Sequence, residues 1–540
     1  MGREQERVKK RLEKNPIVEC NRIQNKFYPE LFHEFSEVKD SRHQSYIDYS
    51  TRTMLGTMYF KSIGGIESMQ EMTRKFNDEK IVNNIYSFLG DKKEKTSGPK
   101  KSKNQIENFS SKTKGDLNKV KKGQGIKANH PKEKFNYKIS NSLFKQKNLD
   151  EDSNYVLLNF DKIVQGIHPM NSKQAQQLPE NIKELSHQLT DQRASRRLGY
   201  MNEKVQLSAY VNYYTWWNLV RLTKLFSNLP QKSFPENNCV CLDLGSGPLT
   251  LVTALWLARP ELRKLNLTWY CLDLSSNSMA FGEDIYLSIA ARTGDGHHWN
   301  IIRVKGSFGT SIKEKADFVT CANMFNELDQ NSDMPPEFQS KKYFDQLKVY
   351  ASPNAKILLV EPGIPKATRT IALLRERFVK DGKELISPCP HADSCPMNGF
   401  KAYTGSQNKW CNYSFATNDA PEKLLKLSEK AKLPKERATL IFISLAPKDK
   451  GVEDEKFQNK DQLFIRITSD PFRMPGNKTG YYGCSKLGLS LVLVNKAFDF
   501  EDAEKNNTFT SGDLIEVKIK KPDFQLAKDE KSGAFIIELD

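Results

Sequence analysis

A glycine-containing segment with two nearby carboxylates is the part of the sequence most suited to hold a nucleotide-type ligand. Residues 243–250 read Asp-Leu-Gly-Ser-Gly-Pro-Leu-Thr. Gly245 and Gly247 permit a tight turn and close approach of a ligand, although Thr250 stands where a third glycine would complete the dinucleotide pattern. Asp243 precedes the first glycine, and Asp273 ends the next predicted strand, where a carboxylate can accept hydrogen bonds from both ribose hydroxyls. These residues predict a nucleotide-type site, with an empty, degenerate βαβ unit as the alternative.

This combination resembles the class I S-adenosylmethionine-dependent methyltransferases more than the NAD dehydrogenases. The resemblance implies that the first acid faces the methionine end of the cofactor and that the second acid holds its ribose. It therefore assigns Asp243, Gly245, Gly247 and Asp273 to S-adenosylmethionine. Glu361 ends the fifth predicted strand, at the sheet edge where ligands bind, and is assigned to the same pocket, with capping of a loop as the alternative.

Catalytic residues are not assigned from the sequence. The fourth predicted strand ends in Asn-Met-Phe-Asn at residues 323–326 and lacks the Pro-Pro-aromatic signature typical of amino-methylating enzymes. Cys321 lies in the same strand without an identifiable partner thiol or base. A buried core cysteine is therefore favoured over a cytosine-attacking nucleophile at this position.

Four cysteines in the last third of the chain form a candidate metal site. Cys389, Cys395, Cys411 and Cys484 are separated by 5, 15 and 72 residues, and the first two are each followed by proline. This is not a zinc-ribbon spacing, and Cys-Pro occurs in some iron–sulfur sites. Four thiolates suit a 4Fe–4S cluster, with a zinc Cys₄ site as the alternative, and His391 could replace one cysteine in a zinc Cys₃His site. Unrelated buried thiols are the remaining interpretation.

Short apolar runs alternate with helical patterns from about residue 236 onward. Predicted strands are 239–244, 267–274, 301–304, 318–322 and 357–360. Predicted helices are 249–257, 277–291, 339–350 and 369–380. This βαβ series predicts an α/β fold, with a Rossmann-like parallel sheet covered by helices on both faces. Further strands are predicted at 439–445, 463–468 and 489–494.

Changes in composition and period divide the chain into six predicted regions. They are a helical N-terminal region (1–90), a disordered lysine-rich linker (91–135), a helical region (136–235), a Rossmann-like methyltransferase domain (236–385), a Cys-rich metal-cluster and C-terminal strand region (386–500), and a C-terminal extension (501–540). The linker contains fourteen lysines and five acids, so it cannot bury enough apolar surface to order itself. A solvated linker is favoured over a phosphate-binding arm.

Residues 203–226 combine a helical pattern with many aromatic side chains. The rings belong to Tyr210, Tyr213, Tyr214, Trp216, Trp217 and Phe226. Rings interleaved with cations can stack on nucleotides, but an aromatic stripe on a helix is more often part of a core. We therefore expect packing here rather than contact with RNA.

The 540 residues carry a net charge of +17, which is compatible with a polyanionic partner such as nucleic acid. The predicted linker carries +9 of this charge, and the other 495 residues carry +8. No apolar run approaches the ~18 residues of a membrane helix, and the N terminus has no secretory apolar region. Residues 1–14 include six Lys or Arg, but Glu4, Glu6 and Glu13 disfavour a mitochondrial presequence.

Taken in order, these motifs resemble the Rsm-type methyltransferase-like assembly factors of the mitochondrial small ribosomal subunit and their bacterial relatives. The resemblance covers about residues 180–500 and includes DLGSGP, CLDLS, LLVEPG, CPHADSCP, WC and YGC. It implies a 4Fe–4S cluster on Cys389, Cys395, Cys411 and Cys484. It also implies binding to small-subunit rRNA and ribosomal proteins during assembly or translation, without a membrane.

The same resemblance leaves two other functions open. One is an active S-adenosylmethionine-dependent rRNA methyltransferase, and the other is a zinc-stabilised RNA-binding module with a relic cofactor site. The implied compartment is the cytoplasm for a bacterial chain and the mitochondrial matrix for a eukaryotic one.

Overall fold

The computed structural model divides the chain into two compact units, residues 1–127 and 128–540. It describes residues 134–145, 149–190, 199–294, 296–328, 334–400, 409–448, 462–499, 504–506, 508–518 and 526–539, together with six isolated positions before residue 60. Apart from these positions, the predicted helical region 1–90 and the predicted linker 91–135 lie outside the described residues.

One strand and five helices precede the first strand of the large sheet. They are β1 (Tyr137–Ser142), α1 (Glu151–Leu158), α2 (Phe160–Ile167), α3 (Ser172–Thr190), α4 (Lys204–Ala209) and α5 (Trp216–Phe226). A π turn, Tyr210–Thr215, joins α4 to α5. The region predicted to be helical from residue 136 therefore begins with a strand instead. The reason is a partner strand almost 400 residues away, which no local pattern reveals.

The large sheet contains the predicted βαβ series. Its elements are β2 (Val240–Leu244), α6 (Thr250–Ala258), β3 (Thr268–Asp273), α7 (Ser276–Thr293), β4 (Asn300–Lys305), β5 (Ala316–Ala322), α8 (Pro336–Tyr350), β6 (Ala351–Glu361), α9 (Pro365–Lys380), β7 (Lys383–Ser387), β8 (Tyr413–Ala416), α10 (Glu422–Lys430) and β9 (Arg437–Pro447). Each strand and helix predicted between 239 and 445 is present, with boundaries shifted by a few residues. The predicted Rossmann-like α/β fold is confirmed.

The strand order of this sheet is β4-β3-β2-β5-β6-β9-β7, with β8 paired to β9. Strands β2 to β6 pair in parallel, whereas β9 runs antiparallel to β6. This is the class I methyltransferase arrangement, in which the last strand inserts antiparallel between two parallel ones. The order reverses between β2 and β5, and such a switch point opens a crevice at the carboxyl ends of the strands.

A second sheet lies in the C-terminal part of the chain. Its strands are β10 (Gln462–Ile467), β11 (Phe472–Met474), β12 (Lys478–Ser485), β13 (Gly488–Val494), β14 (Asp513–Lys518) and β15 (Phe535–Leu539). The order is β1-β14-β10-β12-β13-β15, with β11 paired to β12. The region 501–540, predicted as an extension, thus supplies two strands, because β14 and β15 find their partners among β10, β13 and β1.

The second sheet closes into a small barrel. Phe135 forms a parallel bridge with Leu539, so the segment that begins β1 meets β15 at the far edge. Strands β10, β12 and β13 form an antiparallel meander, β13 pairs in parallel with β15, and β14 pairs antiparallel with β10. These are the strand order and directions of a five-stranded OB-fold, with β1 added between the fourth and fifth strands.

Each sheet has its own buried apolar core. The core of the large sheet includes five buried tryptophans, Trp216, Trp217, Trp256, Trp269 and Trp299, and the barrel interior holds Leu463, Ile465, Tyr481, Val492 and Ile515. As expected, Tyr213, Trp216, Trp217 and Phe226 of the aromatic segment are buried. Among the described residues, no helix combines the length and apolar character needed to cross a bilayer.

Candidate cofactor site and cysteine cluster

The glycine segment forms a tight loop between β2 and α6. Gly245 and Gly247 have φ values of 67° and 50°, in the left-handed region that glycine adopts without strain. The amide of Gly245 donates to the carbonyl of Leu272 at 2.9 Å, and the amide of Gly247 donates to Asp273 Oδ2 at 2.9 Å. The loop is therefore tied to the end of β3, and its backbone faces the crevice at the switch point.

A glycine from a different helix takes over the packing role of the missing third glycine. A Cβ atom on Gly282, in α7, would lie 2.2 Å from the carbonyl carbon of Pro248. The helix thus touches the backbone of the glycine loop directly. The sequence pattern around Thr250 does not reveal this contact, because the two residues come from separate βα units.

Substituting Gly282 with alanine is expected to destabilise the protein by about 1–3 kcal/mol, because rigid backbone lies where the new methyl group would be. Gly166→Ala in α2 is the matched control, since a Cβ there meets no atom within 4 Å. The control should stabilise the fold by up to about 1 kcal/mol through helix propensity. Thermal unfolding of both variants measures the difference. Equal effects would contradict the close contact.

Of the two carboxylates assigned from the sequence, Asp243 is buried and Asp273 is half-buried, and both accept hydrogen bonds from their own loops. Asp243 accepts hydrogen bonds from Thr320 Oγ1 at 2.7 Å and from Ser246 Oγ at 2.8 Å. Burial raises the pKa of Asp243 to about 7, although these two hydroxyls oppose the shift. Asp273 accepts from the amides of Gly247 and Ser275, and burial also raises its pKa. Each carboxylate oxygen keeps a second lone pair for a further donor.

These residues line a cavity of about 230 Å³ at the carboxyl ends of β2, β3 and β5. The structure brings together four of the sequence-assigned residues at its wall, Asp243, Gly245, Gly247 and Asp273. The opposite wall includes Tyr210, Asn218 and Leu222 from the aromatic helical segment. Sequence reasoning placed that segment in the core and missed these three. These three residues are spaced eight and four positions apart, which puts them on one helix face. That spacing could have indicated a shared surface.

Glu361 is fully buried and is not among the residues that line this cavity. Its two carboxylate oxygens accept from the amides of Phe325 and Asn326 at 2.9 and 3.1 Å, so it caps the turn that follows β5. Burial raises the pKa of Glu361 to about 8, against these two hydrogen bonds and the charge of Arg221. Of the two roles considered from the sequence, this geometry is that of the loop cap.

The end of β5 is held by a buried arginine. Asn323, which lines the cavity, has a φ of 62°, unusual for a residue other than glycine. Its Oδ1 accepts from Arg221 Nη2 at 2.9 Å, and Arg221 Nη1 donates to the Thr439 carbonyl. Arg221 therefore joins the turn after β5 to β9 and fixes the Asn323 side chain at the cavity wall.

The four cysteines come together from two parts of the fold. Cys389, Cys395 and Cys411 lie in the segment between β7 and β8, whereas Cys484 lies on β12 of the barrel. Burial, together with the neighbouring Cys389, raises the pKa of the Cys395 thiol to about 11. Burial also raises the pKa of Cys411 and Cys484, and in both cases the other cysteines of the set contribute. Their thiols are therefore close enough to influence one another electrostatically.

Two buried arginines and a histidine surround these thiols. Arg375 Nε donates to Cys389 Sγ at 3.2 Å, and His391 Nε2 lies 3.2 Å from Cys484 Sγ. Arg466, from β10, donates to the carbonyl of Pro388 at 2.9 Å, and its charge interacts with Cys389. Sequence reasoning missed both arginines. Arg466 is the single charged residue in the otherwise apolar run 463–467, and this pattern could have indicated a buried cation.

The donor set fits a metal or cluster in its chemistry, since four soft thiol ligands converge beside compensating cations. In the described part of the chain, no group of three or more His, Cys, Asp or Glu residues lies in a metal-holding arrangement. The cysteines are thus brought together without being placed at coordination geometry.

Comparison with protein families gives one match. A family model described as mitochondrial small ribosomal subunit Rsm22 matches residues 174–446, just over half of the chain. The matched range runs from α3 to the end of β9 and includes three of the four cysteines. Among curated proteins, none matches the chain.

Solved structures similar to this chain include several methyltransferases. One from Geobacter sulfurreducens, in complex with S-adenosyl-L-homocysteine, is 12% identical, covers 43% of this chain and 91% of its own, and has a TM-score of 0.24. Magnesium protoporphyrin IX methyltransferase from Synechocystis is 11% identical, with coverages of 50% and 100% and a TM-score of 0.25. A class I methyltransferase from Listeria monocytogenes is 14% identical, with coverages of 56% and 89% and a TM-score of 0.26. Because these TM-scores are low, the fold assignment rests on the strand order of the large sheet and not on these likenesses.

Proposed function

Because the chain belongs to the Rsm22 family of the mitochondrial small ribosomal subunit, we propose that it acts on that subunit. It binds small-subunit rRNA next to ribosomal proteins and assists assembly of the subunit or translation. The observation that carries this proposal is the family match over residues 174–446, which spans the whole large sheet. We propose the mitochondrial matrix as its compartment, following the family description.

We further propose that the cavity at the switch point holds S-adenosylmethionine. Open space at the glycine loop supports this, since a Cβ on Gly247 would meet no atom closer than 3.7 Å. Asp273 would hold the ribose and Asp243 would face the methionine end. When bound, the cofactor supplies an activated methyl group. The proposal concerns cofactor binding, because no residue is assigned to methyl transfer.

A 4Fe–4S cluster on Cys389, Cys395, Cys411 and Cys484 completes the proposal. The convergence of the four thiols supports it, as does the position of Arg375 and Arg466. A 4Fe–4S cluster with four thiolate ligands carries net negative charge, and two buried cations reduce the cost of burying it. A zinc site on the same thiols, with His391 as a further candidate ligand, is the alternative, and the metal content of the purified protein distinguishes the two.

Co-sedimentation tests the ribosomal role. The tagged full-length chain, expressed in its own cells, is expected to sediment with the small subunit on a sucrose gradient. Ultraviolet crosslinking followed by RNA sequencing should then recover small-subunit rRNA. The matched control is an unrelated matrix protein with the same tag. A tagged chain that stays at the top of the gradient and crosslinks no rRNA would contradict the proposal.

A further inference from the structure

The C-terminal barrel presents a defined binding face. In OB-folds, oligonucleotides bind across the outer face of the second and third strands and the loop between strands one and two. Here those strands are β12 and β13, and that loop contains β11. Tyr481 points into the barrel core, whereas its neighbour Tyr482 packs with the outer cluster. Tyr482 therefore lies on the face that OB-folds use for nucleic acid.

Rings and cations alternate at this place. The ring of Phe472, in the loop between strands one and two, stacks on Tyr482 with centroids 4.9 Å apart and an interplanar angle of 27°. Lys409 Nζ lies 4.2 Å from the centroid of the Tyr482 ring. Arg473, next to Phe472, is exposed. The lysine comes from the cysteine segment of the large sheet, so both halves of the unit contribute to the stack.

A second ring–cation pair continues the same surface. The guanidinium of Arg369, in the first turns of α9, lies 4.3 Å from the centroid of the Phe400 ring. Phe400 is 36% exposed. The amide of Gly399 donates to the carbonyl of Lys409 at 3.2 Å, which places Phe400 beside the lysine of the first stack. We call these residues the ring–cation surface: Arg369, Phe400, Lys409, Phe472, Arg473 and Tyr482.

We propose that the ring–cation surface binds single-stranded RNA, which rests on the proposed function and adds the form of RNA and its place on the chain. Nucleobases stack on the rings, with Phe400 as the most exposed, and phosphates pair with Lys409 and Arg473. The six side chains include three cations and no acid, which suits a polyanion. Paired bases in a duplex cannot offer their faces to rings, so unpaired segments are preferred.

Binding of a fluorescein-labelled single-stranded RNA of about 16 nucleotides, the upper site size of an OB-fold, tests the proposal with the full-length chain. Phe400→Ser is expected to weaken binding about fivefold or more, because one stacked base contributes ~1–3 kcal/mol. Lys409→Gln with Arg473→Gln should lower the slope of log affinity against log salt by about 1.4, at ~0.7 per phosphate contact. The labelled duplex of the same sequence should bind the parent protein more weakly.

Matched controls come from α8 and α10. Phe338→Ser removes a ring that is 63% exposed, and Lys341→Gln with Lys426→Gln removes two exposed cations. These variants should bind as the parent does, within about twofold, and thermal melting should show that all of the variants are folded. Equal weakening in Phe400→Ser and Phe338→Ser, or equal affinity of the parent for duplex and single strand, would overturn the proposal.

Co-sedimentation separates this inference from the proposed function. If the parent sediments with the small subunit while Phe400→Ser binds single-stranded RNA normally, the ring–cation surface is not the RNA site and the ribosomal role stands. If the variant leaves the subunit but still binds RNA, the surface contacts a protein and the inference is wrong. If the parent neither binds RNA nor sediments with the subunit, both proposals are wrong.

Discussion

Anaerobically purified protein is expected to be brown, and Cys484→Ser is expected to remove most of the colour and bound iron. The broad visible absorbance of iron–sulfur proteins arises from thiolate ligands, and loss of one of four leaves the cluster open to solvent. Cys484 is the informative position because it lies on β12, beyond the residues matched by the family model. Its loss tests whether the barrel contributes a ligand.

The same variant should also lose stability. A metal that binds only the folded site adds its binding free energy to the stability of the fold, on the order of 10 kcal/mol for structural metal sites. Cys484 joins the barrel to the segment between β7 and β8, so its substitution removes a link between two parts of the fold. Thermal unfolding under anaerobic conditions, with iron and zinc measured in the same samples, gives both effects together.

Cys239→Ser is the matched control for this experiment. Cys239 is a half-buried cysteine next to β2, outside the set of four thiols. Its variant should keep the parent's colour, metal content and melting temperature within a few degrees. A colourless parent with one zinc per chain would contradict the cluster and favour the zinc site. A parent with neither metal would mean that the four thiols are buried cysteines without a ligand role.

S-adenosylmethionine is expected to raise the melting temperature of the parent protein, and Asp273→Asn is expected to abolish most of that rise. At a ligand concentration one hundred times Kd, binding stabilises a folded protein by ~2.7 kcal/mol, which corresponds to several degrees. Asp273 accepts from the amides of Gly247 and Ser275 while facing the cavity. An asparagine leaves one acceptor oxygen in place of two, so both the loop and the ribose lose a partner.

The shift must be measured against the ligand-free melting temperature of each variant, because Asp273 also stabilises its own loop. Titration calorimetry with S-adenosylhomocysteine provides a second readout that does not depend on stability. Asp345→Asn, at an exposed acid in α8, is the matched control and should keep the full shift. A parent without any shift would favour the relic-site alternative, and an unchanged shift in Asp273→Asn would place the ribose elsewhere.

The large sheet and its cofactor loop could be predicted because their signals are local. Short apolar runs, alternating with helical periods, define β2 to β6 and the helices between them. Gly245, Gly247 and the two aspartates stand at strand ends, and parallel strands bring their carboxyl ends to one edge of the sheet. The positions of these residues therefore follow from chain order alone.

Other features depended on contacts that the chain order does not reveal. Gly282 meets Pro248, Arg221 holds Asn323, and Arg375 reaches Cys389 only after separate elements pack together. The barrel is the largest such feature, because β1 pairs with β14 from the other end of the unit. The sequence by itself thus determined the Rossmann-like sheet, the glycine loop and the identity of the candidate ligands. Only the tertiary structure decided which of them meet, because side-chain period and turn chemistry are local properties, whereas pairing between distant segments depends on the whole packed core.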